Sequence, residues 1–272
     1  MKYHNLENKL FFSFDKNYSA NVKFNKPDKF RELEKLSIIE NNLINTGSNL
    51  SYSPLSFGKG STSILLTKFN RIVSFDKQNK EITVEAGMTL SQLLNFTLKY
   101  NLWIPQLPGY PFITLGGAIA TNAHGKSCAI HGTIRKSIKK ILIFHKNNGW
   151  LNLSENENKE IYDLTIGGLG LTGTIVNITF NLAEIKNSRF MTRKTKVANN
   201  NDCIKFIKKK SIEKNSFIYS WNIADNINDL GKGIIFENIP IQSENKTDKV
   251  NIFDKNLGKY LRLNFPIWNK FT

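Results

Sequence analysis

PGYPFITLGGAIATNAHGKS, residues 108–127, decides how this chain is read. It joins a Pro-Gly turn, the pair Ile113-Thr114, the step Gly116-Gly117, a run of small residues, and then Asn122, His124 and Gly125. Glycines let a backbone approach a ligand closely or adopt positive φ, and small neighbours leave room for that ligand. Thr114, Asn122 and His124 then offer polar groups to a planar, hydrogen-bonding partner. A glycine-bent buried strand with a core histidine satisfies the same spacing, so both readings stand at this level.

On either side lie two further turn-rich segments. Residues 43–46, LINT, run into Gly47-Ser48-Asn49-Leu50-Ser51-Tyr52-Ser53-Pro54, whose backbone N–H groups can form one concave turn suited to a phosphate or diphosphate. An ordinary surface turn fits the residues equally. There is neither a Walker lysine nor a GxGxxG pattern, which argues against P-loop and Rossmann sites. Later, Gly167-Gly168-Leu169-Gly170-Leu171-Thr172-Gly173 puts four glycines in seven residues ahead of the alternating strand 174–180.

The connecting segments read as mixed α and β structure. Phe30, Leu33 and Leu36 recur at helical spacing, with Asp28 as the expected N-cap. The runs 62–66, 71–75 and 81–87 read as strands, with a turn at 76–79. Thr89 to Gln92 has the form of a capping box opening a helix with Leu90, Leu93, Leu94 and Leu98 on one face.

Composition narrows the class. The chain has 272 residues and a formal charge of +16, enough to invite a nucleic-acid reading. Only Arg31, Arg71, Arg135, Arg189, Arg193 and Arg262 are arginines, however, and base readout favours Arg forks. With no nucleic-acid motif present, nucleic-acid binding is not expected. Cys128 and Cys203 stand far apart without metal spacing, so neither a disulfide framework nor a metal site is expected. The N-terminus lacks a signal-peptide core, which makes a cytoplasmic location the expectation.

The serine-tyrosine loop and the two glycine segments, in this order, resemble the flavin-binding domain of the vanillyl-alcohol-oxidase class of flavoproteins. Within that class the likeness is to decaprenylphosphoryl-β-D-ribose 2′-oxidases and related sugar oxidases. The family pattern R-G-x-G-R-S-Y-G-D is matched from its first glycine onward by residues 47–54, the pattern ending GGAIA-x-[DN]-x-HGK by residues 108–126, and GG-x-GLTG by residues 167–173. The resemblance implies an α+β fold: a two-subdomain PCMH-type FAD-binding domain over residues 1–185, then the first part of an α+β substrate domain over residues 186–272. It also implies FAD held non-covalently, because Ser51-Tyr52 offers no nitrogen nucleophile where relatives attach flavin through histidine. Thr46, Gly47, Ser48, Asn49, Leu50, Ser51 and Tyr52 would cradle the diphosphate. Gly109, Thr114, Leu115, Gly116, Gly117, Thr121, Asn122 and Ala123 would line the cofactor. Ile175 would hold the adenine side, and His124 would sit beside the flavin ring as the candidate catalytic residue. Asn49 stands where the pattern has glycine, and Asn tolerates left-handed φ better than most residues.

By the same resemblance the activity is oxidation of a sugar hydroxyl, with a polyprenyl-phosphate pentose as substrate and an aldonolactone or alditol as the alternative. A catalytically silent flavin-binding subunit is a further alternative. Relatives extend well beyond this length, so a second polypeptide completing the substrate domain is an expected partner; the resemblance does not name the electron acceptor. Residues 186–214 are the most basic part of the chain. Ile204, Ile207 and Ile212, with Asp202 as cap, suggest a helix whose cationic face meets solvent, a phosphorylated lipid-linked substrate or the inner membrane surface. His4, His131 and His145 read as surface or structural, and Cys128 as a loop thiol.

Overall fold

The computed structural model describes residues 6–126, 128–185, 189–213, 217–225 and 227–241. Expectations at His4, Lys186, Lys214 and the part of the substrate-domain reading over residues 242–272 fall outside these. Strands β1 (Glu7–Phe12) and β2 (Ser19–Asn25) form an antiparallel hairpin. Its turn is set by Asp15, which accepts from Ser13 Oγ at 2.6 Å and from the Asn17 amide at 3.2 Å. Helix α1 (Phe30–Ile39) buries Leu33 and Leu36, as their spacing requires. Asp28 is not its cap. Lys29 holds that position without a side-chain hydrogen bond, and the Asp28 carboxylate lies 3.6 Å from Lys68 Nζ instead. One residue too early, a carboxylate cannot reach the first free helical amides. Strands β3 (Leu43–Thr46) and β4 (Thr62–Leu65) are parallel and complete a sheet of order β1-β2-β4-β3.

A second, antiparallel sheet follows. Strands β5 (Ile72–Asp76) and β6 (Glu81–Glu85) pair across the anticipated turn, where the Asn79 amide donates to the Asp76 carboxylate at 2.9 Å. Helix α2 (Leu90–Thr97) opens on the capping box: Thr89 Oγ1 accepts from the Gln92 amide at 3.2 Å, and Gln92 Oε1 accepts from the Thr89 amide at 2.9 Å. Short strand β7 (Leu102–Trp103) leads to helix α3 (Leu115–Ala120) and helix α4 (Cys128–His131). Strands β8 (Ile138–His145) and β9 (Gly149–Leu153), helix α5 (Lys159–Thr165) and strand β10 (Thr174–Asn181) complete a sheet of order β5-β6-β10-β8-β9. Strand β11 (Ala183–Glu184) returns to pair with β7.

Strand β10 joins the two layers. A register shift beside Val176 turns that side chain towards Leu33, Leu36, Ile64 and Phe69, while Ile175 and Ile178 point into the larger core around Ile82, Val84, Leu93, Ile119 and Ile141. A bulge that adds one residue reverses the facing of the next side chain, which explains how one strand serves both cores.

The remaining described residues form a three-stranded antiparallel sheet, β12-β14-β13, from β12 (Arg189–Val197), β13 (Phe217–Asn222) and β14 (Gly233–Ile241), with helix α6 (Asn200–Glu213) packed on it. Asp202 does not cap α6. Asn199 does, its Oδ1 accepting from the Asp202 amide at 2.9 Å. Ile204 is exposed, whereas Cys203 is buried and Phe206 and Ile207 are half-buried, so of Ile204 and Ile207 it is Ile204 that lies off the covered face. Among the described residues no helix is long and apolar enough to cross a membrane, and no cluster of His, Cys, Asp or Glu could hold a metal ion.

Candidate functional site

Residues 108–126 are not a bent strand. Residues 115–120 form helix α3, and the reason is local. Thr114 is extended at the N-cap, and its Oγ1 accepts from the Gly117 amide at 3.3 Å. The Leu115 and Gly116 amides donate to the Met88 and Ala86 carbonyls, each at 2.8 Å. These bonds dock the helix on the junction between β6 and α2, and they outweigh the poor helix propensity of two adjacent glycines. Gly116 is required by that docking, since a Cβ there would sit 3.0 Å from Ala86 Cβ and 3.1 Å from its carbonyl oxygen.

The other two segments close on α3. From one side comes the loop between β3 and β4, tied down by Ser48 Oγ donating to the Phe112 carbonyl at 2.7 Å. From the other comes the glycine-rich segment, whose Gly167 and Leu169 amides donate to the Ile119 and Ala120 carbonyls at 2.9 and 2.8 Å. Leu169 holds φ at +54°, an unusual conformation for a leucine, and it lines the resulting groove.

This groove has a volume of about 250 Å³. Of the residues singled out from sequence, it brings together Gly47, Ser48, Asn49, Leu50, Ser51, Thr114, Gly117 and Thr121. It does not bring in the others. The side chains of Thr46, Leu115 and Ile175 are buried in the supporting frame, as is Gly116. Tyr52 is 66% exposed, beside the lining residue Ser51. Asn122, Ala123 and His124 follow the end of α3, where His124 is exposed and bridges to Thr133. Gly109 has open space around its Cβ direction.

Some lining residues were missed. Asn45 and Ser56 flank the serine loop, and Ile113, Ala118 and Ala120 sit within the quoted stretch. Their signal was position alone. Asn45 is fixed by Thr174 Oγ1, which donates to its Oδ1 at 3.0 Å across 129 residues of chain, a link no local pattern carries.

The lining fits a dinucleotide cofactor. None of the backbone amides of residues 47–51 donates to a protein acceptor among the described residues, and no charged side chain lines the groove. A row of free amides in a concave loop is the arrangement that binds a diphosphate without a cation. A Cβ on Gly47 would fall 2.1 Å from Thr114 Oγ1, so the loop and the helix cap approach as closely as glycine allows. Asn122 Oδ1, just beyond the groove, is buried and without a partner among the described residues, a group that a cofactor edge would satisfy.

The three-stranded sheet leans on this region through aromatic contacts. Phe217 lies 5.8 Å from both Trp103 and His131, ring to ring, and Lys126 Nζ stands 4.1 Å over the Tyr219 ring. His131 is thus structural, and burial holds its imidazole below the ordinary histidine range. Its neutral form is favoured in the fold, so the unfolded chain takes up more protons and stability declines as pH falls below about 6.5. Melting temperatures measured across that window are expected to fall less steeply for His131→Phe than for the wild type. Parallel curves would contradict this role. His145 is structural too, its Nδ1 accepting from the Asn147 and Asn148 amides in the β8–β9 turn.

Comparison with known proteins agrees with the geometry. Residues 40–154 match the family described as FAD binding domain. The chain is 30% identical over 150 residues to decaprenylphosphoryl-beta-D-ribose oxidase of Mycolicibacterium smegmatis, covering 55% of this chain and 33% of that one. It is 32% identical over 133 residues to probable L-gulonolactone oxidase 4 of Arabidopsis thaliana, covering 46% and 23%. These matches span about a third or less of the relatives' own length. Among solved structures, an alkyldihydroxyacetonephosphate synthase superposes with a TM-score of 0.65 at 14% identity, over 81% of this chain and 47% of that one, which establishes the fold. Residues 40–154 are therefore similar in sequence to FAD binding domains, and the fold agrees with that similarity.

Proposed function

We propose that this chain is the cofactor-holding part of an FAD-dependent oxidoreductase that oxidises a sugar hydroxyl, with a polyprenyl-phosphate-linked pentose as the favoured substrate class. The observation that carries the cofactor assignment is the groove between α3 and residues 47–51, with its row of free amides and its glycine contact to Thr114. The amides of residues 47–51 would hold the diphosphate, and Thr114, Gly117 and Thr121 would line the cofactor. Bound flavin supplies a two-electron acceptor for hydride leaving a carbinol carbon. The flavin is held non-covalently in this reading, because Ser51-Tyr52 offers no nitrogen nucleophile.

The substrate class rests on the similarity to the mycobacterial enzyme, and an aldonolactone is the second reading because a gulonolactone oxidase matches at comparable identity over a shorter stretch. In either case His124, exposed on the segment leaving α3, is the residue assigned to the flavin side of the site. The β12-β14-β13 sheet supplies part of the substrate side. A cytoplasmic location at the inner membrane face suits a lipid-linked substrate. Exposed Lys205, Lys208 and Lys209 on α6 support an anionic contact there.

The test is reconstitution. Purified protein mixed with FAD and desalted is expected to keep the visible absorbance of flavin, and acid precipitation is expected to release all of it to the supernatant. A colourless protein sinks the assignment, and flavin in the pellet sinks the non-covalent part. Anaerobic bleaching by polyprenyl-phosphoryl pentose rather than by aldonolactone then selects the substrate class.

A further inference from the structure

We propose that Asn49 is a positioning residue that latches the β1–β2 hairpin onto the cofactor loop, making that hairpin part of the cofactor site. The inference rests on the FAD reading of the groove. Residue 49 needs a left-handed backbone, with φ at +54°, which glycine would adopt with least strain. Asparagine adds what glycine cannot. Its Nδ2 donates to the Phe12 carbonyl at 2.8 Å, 37 residues away, and its Oδ1 accepts from Ser56 Oγ at 2.7 Å.

Ser56 is itself a hub, its carbonyl accepting from Thr46 Oγ1 at 2.7 Å at the end of β3. One side chain therefore links the end of β1, both arms of the loop and, through Thr46, the adjoining strand. A backbone bond reinforces the link, since the Phe14 amide donates to the Ser51 carbonyl at 2.9 Å. Ser51 lines the groove.

The latch also sets the outer edge of the site. Phe14, carried on the hairpin turn, packs edge-on to Tyr52 at 5.4 Å and lies 6.4 Å from Tyr110. Three partly exposed rings from three separate segments meet there, and only the hairpin's position brings Phe14 to them. A loop whose amides must converge on a diphosphate gains affinity from being held in that shape before binding. With no lysine or arginine in the lining, such preorganisation is the main lever the protein has.

The test compares wild type, Asn49→Gly and Asn49→Asp as full chains, by FAD titration through quenching of flavin fluorescence and by hydrogen exchange at the Phe14 amide. Asn49→Gly keeps the backbone conformation and removes both side-chain bonds. It is expected to weaken FAD binding by about tenfold and to speed exchange at Phe14, with little change in melting temperature. Asn49→Asp keeps the acceptor for Ser56 but loses the donor to Phe12, so it is expected to fail as a rescue. FAD affinity of Asn49→Gly within about twofold of wild type, with unchanged protection at Phe14, overturns the proposal. If wild type takes up no FAD, the flavin reading falls and with it the hairpin's cofactor role. Exchange at Phe14 then still decides whether the latch exists.

Discussion

Gly47→Ala is expected to cost this chain most of its affinity for FAD. The added methyl would lie 2.1 Å from Thr114 Oγ1 and 3.3 Å from Thr114 Cγ2, and Thr114 is buried. Either the loop of residues 47–51 moves off α3 or Thr114 leaves its rotamer and gives up the Gly117 amide. An N-cap is worth about 1 kcal/mol, and overpacking a tight site costs about 1–3 kcal/mol. If that sum of about 2–4 kcal/mol appears in binding, affinity falls roughly thirty-fold to a thousand-fold. Titration with FAD measures it. Thr114→Ala in the same chain removes the clashing atoms, leaving its Cβ at a tolerable 3.2 Å. The double variant should therefore recover most of the affinity, short of the lost cap. If Gly47→Ala binds FAD as tightly as the wild type, the groove is not the cofactor site.

Gly125→Ala is expected to act on stability instead. Its Cβ would fall 2.4 Å from the Leu107 carbonyl oxygen, 2.5 Å from the Leu107 nitrogen and 2.6 Å from the carbonyl carbon. All three are backbone atoms, so no side-chain rotation relieves the overlap. The segment leaving α3 must lift away from residue 107, and it carries His124 and Lys126 with it. A cost of about 3 kcal/mol corresponds to a melting temperature lower by roughly 6–12 °C for a domain of this size. Gly109→Ala is the control, with nothing within 4 Å of its Cβ. It should melt within about 0.5 kcal/mol of wild type. A loss of FAD binding without a loss of stability at Gly109 would then place that residue against the cofactor. Equal melting of Gly125→Ala and Gly109→Ala would show that residues 107 and 125 are not packed as described.

Much of the fold was legible from short-range chemistry. The capping box at Thr89 and Gln92, the turn at 76–79 and the spacing of Leu33 and Leu36 all depend on neighbours within a few residues, and each appears in the structure as read. The left-handed turn at Asn49 belongs to this group too. Where reading failed, the competing effect was close at hand but of a different kind. Asp28 and Asp202 are good capping residues, yet a cap works at one position only, and Lys29 and Asn199 occupy it. Of the isoleucines of α6, Ile204 lies outside while Ile207 is half-buried on the same face as Cys203, one turn away.

Residues 108–127 show the division most clearly. Their composition determined that a backbone would pass close to something, since glycines and small side chains beside polar ones leave space that a packed core does not. Sequence also supplied the order of the three turn-rich segments, and with it the resemblance to flavin-binding domains. What only tertiary structure decided is which glycine serves which purpose. Gly116 is small because Ala86 lies behind it, Gly125 because Leu107 does, and Gly47 because it meets Thr114, while Gly117 opens on the groove. The physical reason is that steric exclusion acts between atoms brought together from 18 to 67 positions apart in the chain, and a residue type records that something is near without recording what.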